Sequence, residues 1–372
     1  MNRILEKTIR IVDIILSFVL AGTVVVLGFS RFWQDYNAVV LVFLLLAGGI
    51  CSGIFCHFFH ELGHLLFGLF CGFRFNAMQI GLISIYRQDG KIRVAIQRLP
   101  ESLAGSTQML PKNAVNLYSK FLITISGGLI FSFICLVASA VTLCLYEIVP
   151  FFAYIFVCTA IPFAFHIFFY NILPFNDDNL DTDGGMLRGL IKKEPSYLTA
   201  VNILTIEGYL YQGKTLAEMD SSLYFGLPQL PEDDINFILL TSYRLSYYID
   251  SGDMAAAAKT ADRLSELLPY VPKIYYNEIA SEILFCDCFI KGDFSAAQEK
   301  YTALRPYLIG EKSLQTFRIC AAYELYVNDD KVSALRALSA AQERADSCHI
   351  EGVQRYERKL ISYIRRDLDA HK

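Results

Sequence analysis

A chain of 372 residues has room for two or three domains, and at 54% hydrophobic, 19% charged and a mean hydropathy of +0.38 it is too apolar for an ordinary soluble protein. The formal net charge of −4, with no basic tract to form a phosphate-binding face, excludes nucleic acid as an expected partner. Ten cysteines are scattered along the chain, many in or beside apolar runs, which fits reduced thiols packing as small hydrophobes better than a disulfide framework.

The first apolar run, Ile11–Phe29, follows Arg3, Lys7 and Arg10 and is broken early by Asp13. No convincing small-residue cleavage site follows it, so it reads as an uncleaved membrane span rather than a signal peptide. The polar connector SRFWQDYN leads into a second apolar stretch, Ala38–Gly72, longer than the ~20 residues that one span needs. Gly48, Gly49 and Gly53 predict a kink or break within it. Residues 73–97 then alternate apolar and polar, with Asp89-Gly90 between two such runs, which predicts a small β-hairpin. A third span is expected over Leu117–Tyr146, with Ser126-Gly127-Gly128 near its start, and a fourth over Val149–Leu173, ending at Pro174.

Four spans put both termini on one side. Arg74, Arg87, Lys91, Arg93, Arg98, Lys112, Lys192 and Lys193 fall on that side together with the N-terminal basic residues. By the positive-inside rule it is the cytoplasm of a cell-membrane protein. From Pro195 onward the composition turns soluble-like and helical. YYIDSGDMAAAAKTADRL, CFIKGDFSAAQEKYTAL and LYVNDDKVSALRALSAA each place a Gly-Asp or Asn-Asp turn before an Ala-rich helix. Their regular spacing resembles a degenerate tetratricopeptide-like solenoid, a surface for a protein or peptide partner rather than for chemistry. The chain is therefore expected to be mainly α. Residues 1–37 form an N-terminal transmembrane helix and connector, 38–193 a polytopic membrane core with the hairpin, and 194–372 a soluble all-α helical-repeat domain.

Within the second span, CHFFHELGHLLFGLF holds His57, His60, Glu61 and His64 among apolar and small residues. Ionisable groups at membrane depth are costly and by default mark a functional site. On a helix His60 and His64 project from one face, a spacing that lets two imidazoles hold one Zn²⁺ while Glu61 accepts a proton from metal-activated water. The common extension supplying a third ligand would need Gly and His where the chain has Phe67 and Phe70. A ligand must come from farther along, and NILPFNDDNLDTDGGMLRGL offers Asp177, Asp178, Asp181 and Asp183 beyond the span-breaking Pro174. His57 reads as a core or supporting histidine, because a fourth nitrogen would close the position water needs. His166, in the last span, is a second histidine that could face the site. Cys286 and Cys288 form a C-x-C pair with no matching second pair, unlike real zinc spacings.

H-E-x-x-H in one span, followed in a later one by N-x-x-P and then Asp-Gly, resembles the site-2 protease family of intramembrane zinc metalloproteases over residues 45–192. The matches are His60, Glu61 and His64, then Asn171, Pro174, Asp183 and Gly184. The resemblance implies that His60, His64 and Asp183 bind zinc, that Glu61 is the general base, and that Asn171 and Pro174 lie near the substrate strand. Among the four aspartates only Asp183 carries the following glycines, although its gap from Pro174 is longer than is common in the family. Ser126-Gly127-Gly128 resembles the small-residue segment of the family's middle core span. The expected function is zinc-dependent cleavage of a membrane-embedded protein or hydrophobic precursor peptide. The competing class is a non-catalytic, membrane-anchored helical-repeat receptor or scaffold, which the intact Glu61 argues against.

Overall fold

A computed structural model describes residues 3–88, 91–96, 105–177 and 180–370. It divides the chain into two compact units, the first ending at Lys193 and the second beginning at Glu194, except that stretches 89–91 and 110–117 belong with the second. The hairpin turn expected at Asp89-Gly90 lies outside the described residues, as does Asp178.

Four helical segments of the first unit are long and apolar enough to cross a membrane. They are α1 (Arg3–Phe32), α2 (Ala38–Phe70), α3 (Leu117–Cys144), and a fourth built from α4 (Phe151–Val157), a single 3-10 turn at Cys158–Ala160 and α5 (Ile161–Ile172). Large apolar side chains such as Phe18, Phe43 and Phe152 are more than 70% exposed on them, at 74%, 72% and 74%. In water such surfaces would be a severe liability, whereas against lipid tails they are the expected exterior of a membrane protein.

No break occurs at Gly48, Gly49 or Gly53: α2 runs as one continuous helix of 33 residues. Two of these glycines serve close packing instead. A Cβ on Gly48 would lie 2.6 Å from Ile155, and one on Gly53 would lie 3.0 Å from Phe163, so α2 approaches the fourth span there. Ser52 tightens the same contact by donating to the Phe156 carbonyl at 3.0 Å and pairing with the Thr159 hydroxyl at 2.9 Å.

After α2 the chain turns at Gly72, whose φ of 83° suits glycine. It then enters β1 (Phe73–Ile80), β2 (Ile83–Gln88), β3 (Lys91–Ile96) and β4 (Gly105–Pro111). The expected hairpin is therefore part of a larger, four-stranded sheet ordered β3-β2-β1-β4. β1 and β2 pair antiparallel, with Ile80 opposite Ile83 across a two-residue turn at Gly81-Leu82. β4 fell outside the predicted alternation, and it is this strand that reaches the site. Past α5, a two-residue ladder, β5 (Asn176–Asp177) with β6 (Leu180–Asp181), precedes α6 (Asp183–Ile191).

From Glu194 onward the described part of the second unit is helical: α7 (Pro195–Tyr211), the short α8 (Ser222–Phe225), α9 (Ile235–Ser251), α10 (Met254–Leu267), α11 (Lys273–Cys286), α12 (Phe294–Gly310), α13 (Leu314–Tyr326), α14 (Lys331–Ser347) and α15 (Glu351–Ala370). The three turn signals read from sequence join α9 to α10, α11 to α12 and α13 to α14. Gly252, Gly292 and Asp329 take φ of 85°, 64° and 50° there, and Asp253, Asp293 and Asp330 cap the helices that follow. Ala257, Ala261, Ala297, Ala321, Ala334 and Ala341 are fully buried, which lets the paired helices pack closely. α15 closes the unit by reaching back: Lys359 pairs with Asp250 at 3.0 Å and Arg355 with Glu218 at 2.6 Å. Arg318, completely buried, bonds Glu282 and Glu357, each at 2.6 Å.

Candidate metal centre

The centre is built where α2 and α3 touch backbone to backbone. A Cβ on Gly63 would lie 2.7 Å from the carbonyl carbon of Gly127, and one on Gly127 would lie 2.9 Å from Phe67 Cβ. The next residue on α3, Gly128, leaves open the space beside the two imidazoles: its Cβ would come within 2.5 Å of His64 Cε1 and 2.9 Å of His60 Cε1. Small residues at a helix crossing thus make room for a polar site inside an apolar bundle.

Asp183 arrives from the broken end of the fourth span. Thr182 stitches that break, accepting from the Phe175 amide at 3.2 Å, donating to the Leu173 carbonyl, and capping α6 through the Gly185 amide at 3.4 Å. Asp183 is thereby fixed as the first residue of α6. Gly184 lets this turn press against the end of α5, since its Cβ would lie 2.9 Å from the Asn171 carbonyl oxygen. The Tyr118 hydroxyl, donating to the Leu190 carbonyl at 2.8 Å, ties the far end of α6 to α3.

Three donor atoms converge as a result. His60 Nε2 and His64 Nε2 are 3.3 Å apart, and Asp183 Oδ2 is 3.3 Å from the first and 3.1 Å from the second. Among the described residues this is the group of three that could hold a metal ion. The outer nitrogens are already engaged: His60 Nδ1 lies 2.8 Å from Ser132 Oγ, and His64 Nδ1 lies 3.0 Å from the Thr124 carbonyl oxygen. A carbonyl only accepts, so His64 Nδ1 carries a proton, and Nε2 is the ring atom left to face Asp183 and His60. Asp183 Oδ2 is itself buried with no hydrogen-bond donor. Two ring nitrogens and a buried carboxylate oxygen this close together need positive charge among them. A single proton can bridge two of the three, whereas a divalent cation bridges all of them. The residues therefore fit a metal ion.

Glu61, 6% exposed, lies beside this group, and its Oε2 accepts a hydrogen bond from Thr107 Oγ1 on β4 at 2.6 Å. The remaining candidates fall elsewhere. Asn171 turns its side-chain amide back to the Ile167 carbonyl at 2.9 Å, outside the donor cluster. Pro174 is half-buried at the break between α5 and α6. Asp181 accepts from Asn176 across the β5–β6 ladder at 2.9 Å. His166 pairs with Asp13 of α1 at 2.6 Å, an imidazole–carboxylate contact that ties the first span to the last and gives the early Asp13 its partner. His57 does not join the donor cluster. Cys286 and Cys288 are buried free thiols in α11 and the π-helical turn after it.

Sequence reasoning missed Ser132, Gly63 and Thr107. Ser132 could have been suspected from its place one helical turn after Gly128, whereas nothing near Thr107 signals its contact. No family model, curated protein or solved structure matches the chain.

Proposed function

We propose that the chain is a zinc-dependent intramembrane endopeptidase of the site-2 protease type, cleaving a membrane-embedded protein or a hydrophobic precursor peptide. One observation carries this reading: two imidazoles on a helix long and apolar enough to cross a membrane converge with a carboxylate, and a glutamate is adjacent to one of the imidazoles. Zinc is the proposed ion because two imidazoles and one carboxylate are a ligand set that catalytic zinc uses. The donor separations of 3.1 to 3.3 Å would let one ion meet all three. His60, His64 and Asp183 would hold the ion and leave one position open. Bound there, zinc supplies Lewis acidity toward water and toward a peptide carbonyl.

The chain's own residues do the rest. Ser132 and the Thr124 carbonyl fix the two rings so that Nε2 faces the ion. Glu61 would accept a proton from the attacking water and pass it to the leaving amide nitrogen. His60 and Glu61 are buried and the side chains of His64 and Asp183 nearly so, which keeps bulk water low. An extended substrate segment can add to an edge of the sheet by backbone hydrogen bonds, and Asn171 and Pro174 would flank it. The second unit is proposed to be a tetratricopeptide-like repeat that binds a peptide or protein partner, and both termini are proposed to be cytoplasmic.

Comparative membrane proteomics of cells carrying the wild-type chain or Glu61→Gln tests the activity. Fragments with new termini inside or beside a transmembrane segment should vanish in the variant. Identical fragment sets would favour a membrane-anchored scaffold instead.

A further inference from the structure

Strand β4 hydrogen-bonds one oxygen of the glutamate and places a glycine opposite the other, an arrangement that the site-2 protease reading leaves without a role. Thr107 Oγ1 lies 2.6 Å from Glu61 Oε2 and 3.3 Å from the Glu61 backbone carbonyl. Having one proton, the hydroxyl donates to the carboxylate, where the bond is shorter and charge-assisted. Two residues earlier, Gly105 faces the other oxygen: a Cβ there would lie 2.7 Å from Oε1 and 3.3 Å from the Gln79 carbonyl of β1. Oε2 is thus tethered, while Oε1 is kept clear by a residue with no side chain.

We propose that Thr107 is the positioning residue of the general base: its hydroxyl anchors Glu61 Oε2 and Gly105 leaves Oε1 free, so that Oε1 is the oxygen that takes and returns the proton. This rests on the reading of Glu61 as the base. Glutamate has three rotatable side-chain bonds, and an untethered carboxylate would spend most of its time away from the geometry a proton transfer needs. β4 is held beside β1, and β1 continues directly from α2, the helix that carries Glu61. The tether therefore runs from α2 through β1 to the neighbouring strand β4.

The test uses the full-length chain in detergent, with a fluorogenic transmembrane model peptide as probe. Thr107→Val keeps the branched shape but removes the donor; Thr107→Ser keeps the donor. A hydrogen bond to a charged group governs about 10–100-fold in rate. Thr107→Val should lower kcat by about that factor with KM within about twofold. Thr107→Ser should restore most of the rate, and both should keep the wild-type metal content. A second readout needs no turnover. In the metal-free protein, the infrared carboxylate band that disappears in Glu61→Gln should shift in Thr107→Val and return in Thr107→Ser. Should Thr107→Val fail to fold, Gly105→Ala serves in its place, and it should lower kcat by crowding Oε1. Wild-type kcat in Thr107→Val or in Gly105→Ala, an unmoved carboxylate band, or a loss in KM alone would overturn the proposal. Full activity in Glu61→Gln would instead remove the reading beneath it, whatever Thr107 does.

Discussion

Gly128→Ala adds one methyl group where α3 passes the two imidazoles, and its effect can be worked from the structure. The new Cβ would sit 2.5 Å from His64 Cε1 and 2.9 Å from His60 Cε1, where ordinary contact is 3.4–4 Å. His64 must therefore retreat by about 1 Å, or α3 must swing away by as much. Neither is easy. His64 is held by its Nδ1 bond to the Thr124 carbonyl, and α3 is held against α2 by the Gly63–Gly127 contact. Ligand distances at a metal site tolerate only about 0.2 Å, so a displacement of about 1 Å is roughly five times what coordination allows. Overpacking of this kind also costs about 1–3 kcal/mol of stability. Purified Gly128→Ala should hold less than about a tenth of the wild-type zinc by elemental analysis. Gly22→Ala, whose Cβ would meet nothing within 4 Å, should hold as much as wild type. Stoichiometric metal in Gly128→Ala, with activity retained, would refute the placement of α3 beside the histidines.

Four further outcomes are expected. Asp183→Ala should lose bound zinc, whereas Asp181→Ala should keep it, because only Asp183 meets the imidazoles; the reverse result would move the third ligand to the β5–β6 ladder. Ser132→Ala should weaken zinc binding about 10–100-fold in a chelator competition by freeing the His60 ring. In the second unit, burial lifts the Glu207 carboxyl from 4.5 to about 7, with Glu278 adding to the rise and the Tyr243 hydroxyl opposing it. The folded chain binds that proton more tightly than the unfolded one, so this contribution is full below pH 4.5 and is lost as pH rises through about 7. The loss amounts to at most about 3 kcal/mol, and Glu207→Gln should flatten that part of the thermal stability–pH profile. Arg318→Met strands the buried Glu357 and should cost about 3–5 kcal/mol in denaturant unfolding, part of which Glu357→Leu added to it should recover.

The four spans were legible because lipid leaves the backbone few options, so long apolar runs become helices whatever their order. His60 and His64 were legible because helical periodicity alone puts them on one face. Asp183 could be singled out by Gly184, and the contact of Gly184 with the end of α5 supplies the physical reason: a side chain there would hold α6 away from the break. At Gly48 and Gly53 the same residue type serves close packing against the fourth span without breaking α2. Glycine both weakens a helix and permits close approach, and the local sequence does not say which use applies. The turns at Gly252, Gly292 and Asp329 were legible because left-handed backbone has few residue choices. Thr107 was not legible: GSTQMLP lacks a clear strand alternation, and its contact with Glu61 depends on how the sheet folds back onto α2. The return of α15, through Lys359 to Asp250 and Arg355 to Glu218, is likewise a matter of long-range packing.

The central claim, that His60, His64 and Asp183 hold a metal with which Glu61 cuts peptide bonds, is tested most directly by one paired measurement. Wild-type and Glu61→Gln proteins are purified in the same detergent, assayed for zinc, and incubated with a fluorogenic transmembrane peptide whose products are read by mass spectrometry. The account predicts about one zinc per chain in both, cleavage at a defined bond by the wild type, and no product from Glu61→Gln. Equal cleavage by the two proteins, or no zinc in either, would contradict it.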